Sequence, residues 1–99
     1  MVIRTIVTYP TESAKEIAER FLKVPPFPDY LTRRGPYISS SVDEGVINLS
    51  IYELENSKLA EGLEFIGNYL AGFFGVPGFT YEIKPLYELE EALKMIGMG

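Results

Sequence analysis

The sequence predicts an α+β protein: a four-stranded antiparallel sheet with two helices on one face and a short third helix at the end. Three observations predict it. β-rich or alternating stretches and stretches with apolar residues at helical spacing are both present. They follow one another in the order β-α-β-β-α-β-α. Glycine, proline and capping residues fall at the junctions.

Val2–Tyr9 is β-rich, and Pro10 ends it. Ser13 and Glu16 form the S-x-x-E pattern of a capping box. Ala14, Ile17, Ala18, Phe21 and Leu22 then make an amphipathic helical stripe, supported by the i,i+4 pairs Glu16–Arg20 and Glu19–Lys23. Pro25, Pro26 and Pro28 stop this helix. Residues 24–36 read as an irregular connection carrying Phe27, Tyr30 and the basic pair Arg33 and Arg34. Tyr37–Val42 and Val46–Glu53 form a hairpin over Asp43-Glu44-Gly45, whose glycine suits a positive φ. Asn56 or Ser57 caps a second helix with the stripe Leu59, Leu63, Ile66, Leu70 and Phe73 or Phe74. Gly62, Gly67 and Gly72 lie inside that pattern and would weaken an isolated helix, for which close backbone packing is one explanation; Gly75 and Pro77 end it. Phe79–Lys84 is the last strand and Tyr87–Met95 a terminal helix.

Composition narrows the chemistry. The 99 residues include nine Lys/Arg and fourteen Asp/Glu, for a net charge of −5, and 46% are apolar. That length suits a single domain over residues 1–99. Without cysteine there is no disulfide, thiolate nucleophile or Cys-type zinc site, and without histidine no Ser-His-Asp or Cys-His mechanism. No metal site and no cofactor are expected. The acidic balance argues against nucleic acid, which needs clustered Lys/Arg. The uncharged passage Phe65–Tyr81 is interrupted by Asn68, Gly75, Pro77 and Gly78, and reads as a helix end plus a turn rather than a membrane span. No signal peptide is visible, so a cytoplasmic location is expected.

The element order is that of the split βαβ plan. Right-handed crossovers bring the first and third strands together, give the strand order 4-1-3-2 and leave one sheet face without a helix. This ferredoxin-like topology, the chain length and the final helix resemble the dimeric α/β-barrel superfamily. The resemblance covers nearly the whole chain and rests on topology. It implies a homodimer closed through the bare sheet faces, with a pocket in the barrel or between sheet and helices. The superfamily includes cofactor-free monooxygenases, isomerases, haem enzymes and ligand-sensing domains. No catalytic residue carries over, because this chain has none of the histidines many of those enzymes use.

The expected bare face follows from alternation. With Ile47, Leu49 and Ile51, and Phe79, Tyr81 and Ile83, turned to the helices, Asn48, Ser50, Tyr52, Thr80, Glu82 and Lys84 face away. Ile3 and Val7 in the core put Arg4 and Thr8 on the same bare side; the second strand offers either Tyr37, Ser39 and Ser41 or Ile38, Ser40 and Val42. One reading is a polar face that meets solvent or a wet dimer interface. The other is a dimer cavity in which Arg4 pairs with an anion while Asn48, Ser50 and Tyr52 donate hydrogen bonds. Arg33 and Arg34 stand either at a solubilising loop tip or as a bidentate clamp for a carboxylate or phosphate. Glu82 would serve as a base with Tyr52 as donor, or simply pair with Arg4 and Lys84.

Three functions are therefore in view. The preferred one is a homodimeric module binding a small polar or anionic molecule in a sheet-face cavity. The alternatives are a cofactor-independent enzyme of monooxygenase or isomerase type, and a structural subunit docking another protein.

Overall fold

A computed structural model describes residues 1–99. Strand β1 spans Val2–Tyr9, and after a 3-10 turn helix α1 spans Ala14–Phe21. Strands β2 (Thr32–Ser41) and β3 (Gly45–Glu53) form the hairpin. Helix α2 spans Leu59–Ala71, strand β4 Thr80–Leu86 and helix α3 Leu89–Met95. The fold is α+β, with a four-stranded antiparallel sheet. The strands lie in the order β2-β3-β1-β4, so β1 and β3 are central and β2 and β4 are edges; counted from β4, the order reads 4-1-3-2.

Gly45 closes the hairpin at φ 73°, where a side chain would be strained. Of the two expected i,i+4 pairs, Glu16–Arg20 forms, with Arg20 Nη2 2.8 Å from Glu16 Oε2, and Glu19–Lys23 does not. Ser13 does not cap α1. Its hydroxyl instead donates to the Pro77 carbonyl at 2.6 Å, joining the start of α1 to the turn before β4. Nor do Asn56 and Ser57 cap α2; they lie in a 3-10 turn, and the Asn56 amide donates to Glu91 Oε2 of α3 at 2.8 Å. No helix is long and apolar enough to cross a membrane. The Phe65–Tyr81 passage divides between the end of α2, a turn, and the start of β4.

Register fixes which residues share a face, because directly opposed residues project to the same side. Ile3 pairs with Tyr52, Thr5 with Ser50, Val7 with Asn48 and Tyr9 with Val46. These residues look toward α1 and α2. Tyr52 is only 1% exposed and packs with Ile3, Leu31, Ile66 and Leu70; Tyr9 and Val46 pack with Ile17, Phe73 and Val76. The expected placement of β1 and β4 holds: Ile3, Val7 and Ile83 join the core, while Arg4, Thr8, Thr80, Glu82 and Lys84 take the other side.

The expected phase of β3 is inverted. Asn48, Ser50 and Tyr52 face the helices, and Ile47, Leu49 and Ile51 occupy the bare face. Alternation gives two faces but not their sense. Here the aromatic ring of Tyr52 fills the core, and its strand neighbours follow by parity. The bare face therefore has an apolar middle, Ile6, Ile47, Leu49 and Ile51, instead of the polar surface expected. Charged groups flank it: Arg4 pairs with Glu82, Lys84 Nζ lies 3.3 Å from the same carboxylate, and Arg34 Nη2 lies 2.9 Å from Glu53.

Strand β2 begins five residues before the expected Tyr37, so Arg33 and Arg34 lie within a strand and not at a loop tip. Arg33 pairs with Tyr52 and Arg34 with Ile51. One extra residue then enters at a bulge between Arg34 and Tyr37, around Gly35-Pro36. An edge strand tolerates that proline, whose missing N–H leaves no ladder bond unmade. The bulge resets parity: Tyr37, Ser39 and Ser41 share the bare face with Arg34, and Ile38 shares the helix side with Arg33.

Candidate functional site

A cavity of about 300 Å³ lies between the helix side of the sheet, α1 and the C-terminal part of α2. Its floor comes from three strands: Thr5 and Val7 of β1, Asn48 and Ser50 of β3, and Arg33 and Ile38 of β2. Ile17 and Phe21 of α1 and Tyr69 and Phe73 of α2 form the walls. The size lies at the lower end of the range for small-molecule pockets. Mostly apolar walls with a few convergent polar groups are the composition expected of such a site.

Why the cavity forms here follows from the chain. Helix α1 has only eight residues and its apolar stripe ends at Phe21 and Leu22. It covers the centre of the sheet and leaves the β2 side thinly roofed. Ile38 is 61% exposed and Leu22 83% exposed at that margin. The chain then turns through Pro25, Pro26 and Pro28 and returns Phe27 to the core. Phe27 stacks on Tyr52 with ring centres 5.6 Å apart and meets Tyr69 edge-on at 5.0 Å.

Arg33 is the only charged residue lining the cavity. Its guanidinium stands over two rings, 5.1 Å from the centre of Phe27 and 5.7 Å from that of Phe21. Such stacking holds a guanidinium in place while leaving its in-plane N–H groups directed outward. The arginines that form ion pairs are Arg4, Arg20 and Arg34, and no carboxylate neutralises Arg33. Burial pushes the Tyr52 phenol above the ordinary tyrosine range, against the opposing pull of Arg33 and the Ser50 and Thr5 hydroxyls. Burial also raises Tyr69, reinforced by Tyr52 and opposed by Arg33. Both phenols therefore stay protonated near neutral pH, which leaves each an O–H to donate and makes neither a base. The site offers one cation, several donors, and no carboxylate.

The residues singled out in the sequence separate into two groups. Arg33, Asn48, Ser50 and Tyr52 come together in the cavity. Arg4, Glu82 and Arg34 stand on the other side of the sheet. Two expected constellations are thereby broken. Arg33 and Arg34 project from opposite faces and cannot clamp one anion together. Glu82 and Arg4 are separated by the sheet from Tyr52, so they cannot act with it on one molecule. Glu82 instead forms the ion pairs with Arg4 and Lys84. Phe21, Phe27 and Tyr69 were missed as site residues. Phe21 and Phe27 both precede Arg33, one before the proline run and one within it, and alternation and helical spacing do not bring a loop residue into contact with a strand.

Compared with protein-family models, curated proteins and solved structures, the chain matches none. Its site is therefore read from its own chemistry.

Proposed function

We propose that this chain is a binding domain for a small organic anion with an apolar body, held in the cavity on the helix side of the sheet. The observation that carries the reading is Arg33. It is the lone charge of a largely apolar, aromatic-walled cavity, it is braced by two rings, and no acidic side chain neutralises it. A partly buried cation without a counter-ion is costly in the unliganded protein. An incoming carboxylate would relieve that cost through charge-assisted, bidentate hydrogen bonds. The apolar body would occupy the space beside Ile17, Phe21 and Phe73.

Benzoate is a suitable probe, with benzyl alcohol and benzylamine as neutral and cationic controls. Saturation at a hundredfold excess over Kd should stabilise the fold by about 2.7 kcal/mol. Benzoate is expected to raise the melting temperature and the two controls to leave it unchanged. Arg33→Met should weaken benzoate at least tenfold. Equal shifts with all three probes, or none with benzoate, would rule the proposal out.

The domain acts, in this reading, as a homodimer joined through the bare faces of two sheets. An apolar centre edged by charged groups is the composition of a protein interface. Ile6, Ile47, Leu49 and Ile51 form that centre on the side of the sheet that carries neither α1 nor α2. A two-fold arrangement would set the same apolar stripe against itself.

A further inference from the structure

The middle of the cavity floor is more polar than a sheet packed under helices requires. Thr5 and Ser50 face each other across β1 and β3 and are each 3% exposed. Tyr52, next along the same side of β3, is 1% exposed. Asn48, on the other flank of Ser50, adds an amide to the floor. Buried hydroxyls cost free energy unless they find partners. Ser50 lies directly opposite Thr5, with Asn48 and Tyr52 on either side of it along the same face of β3, so these polar groups form one cluster. Three hydroxyls carry three O–H donors, and the side-chain hydrogen bonds of the fold engage none of them. The side-chain bonds to main-chain carbonyls are made by Ser13 and Arg20, so no carbonyl takes these donors up. These hydroxyls and the Asn48 amide thus line a space whose other lining is largely apolar.

We infer that the ligand of this cavity is two-ended, with an anionic group at Arg33 and a hydroxyl or carbonyl oxygen, across an apolar body, at the Thr5–Ser50–Tyr52 row. The inference rests on the binding reading above and narrows its ligand class to hydroxy or oxo carboxylic acids. The spacing suits it. Of that row, Tyr52 stands directly opposite Arg33 on β3 and Thr5 lies two strand spacings away on β1, roughly 10 Å, so the ligand's second oxygen is placed at the Thr5–Ser50 end. A site built to bond a ligand oxygen rejects an analogue lacking it far more strongly than an apolar pocket rejects a missing methylene.

The test compares 4-hydroxybenzoate with benzoate by calorimetry on the full chain. The expected result is at least tenfold tighter binding of 4-hydroxybenzoate. In Ser50→Ala and in Thr5→Val that ratio should fall toward one, with circular dichroism confirming the fold; Arg34→Ala, on the other side of the sheet, should keep it. Equal binding of both acids by the unaltered protein would overturn the two-ended ligand and leave the anion reading standing. Binding of neither would overturn both. A tenfold ratio that survived in both variants would show that the buried row is not what reads the second oxygen.

Discussion

Arg33 and Arg34 are adjacent in sequence and opposite in space, so replacing them should have separable effects. Arg34→Ala removes an ion pair whose members are about half exposed, with side-chain accessibilities of 57% and 48%. Exposed pairs of this kind contribute about 0–1 kcal/mol, and urea unfolding should show no larger loss. The same variant should bind benzoate as the unaltered protein does, while Arg33→Met should not. The tyrosines supply a pH prediction. Burial raises Tyr9, Tyr52 and Tyr69 above their ordinary value. A group whose pKa is raised by folding contributes stability below its unfolded pKa and loses it as pH rises through the folded one. The stability of this protein should therefore decline above about pH 10. Tyr52→Phe removes one of these groups, and its stability should fall less steeply with alkaline pH in urea titrations; an equally steep decline would contradict the assignment.

Helix α2 contains two glycines that look alike in sequence and differ in the fold. A Cβ at Gly62 would come within 2.6 Å of Leu54 Cδ1 and 3.4 Å of Ile3 Cδ1, whereas one at Gly67 would meet nothing within 4 Å. Gly67→Ala should therefore stabilise the protein by about 0.5–1 kcal/mol, and Gly62→Ala should gain less or lose. Thermal unfolding of the pair measures this. At α3, Glu91 accepts from the Glu88 main-chain N–H at 3.0 Å and from Asn56, and lies 3.1 Å from the Met1 amine. These contacts, the Glu88 bond foremost, hold its pKa below the usual glutamate value. A depressed carboxylate stabilises above its unfolded pKa and ceases to do so as pH falls through the folded one. Helical Cα chemical shifts in α3 should accordingly fade on acidification below about pH 4, and less so in Glu91→Gln. The elements themselves were legible in the sequence because stripes, alternation and Gly/Pro stops act locally. The strand phase was not. In β3 both alternating sets carry apolar residues, Ile47, Leu49 and Ile51 against Val46 and Tyr52, and only the register with β1 decides between them. The start of β2 was hidden because Gly35-Pro36 resembles a turn; pairing with the far end of β3 turns it into a bulge. Much of the site survived the inversion, since Asn48, Ser50 and Tyr52 moved together from one face to the other.

At the scale of the whole molecule, the sheet separates two roles. Its helix side holds the aromatic cavity and the unneutralised Arg33, and its bare side holds an apolar stripe bounded by ion pairs. Sedimentation equilibrium should show a dimer for the unaltered chain and a monomer for Leu49→Lys, whose fold should persist because Leu49 lies outside both core clusters. A chain that is monomeric before the substitution would refute the paired sheets while leaving the cavity untouched. The anion site is the central claim, and the most direct measurement is a titration of the ¹⁵N-labelled protein with benzoate followed by amide chemical shifts. The account predicts saturable changes at Thr5, Arg33, Asn48, Ser50 and Tyr69, with Glu82 and Lys84 unmoved. Changes centred on the Arg4–Glu82–Lys84 side, or none at saturating benzoate, would contradict it.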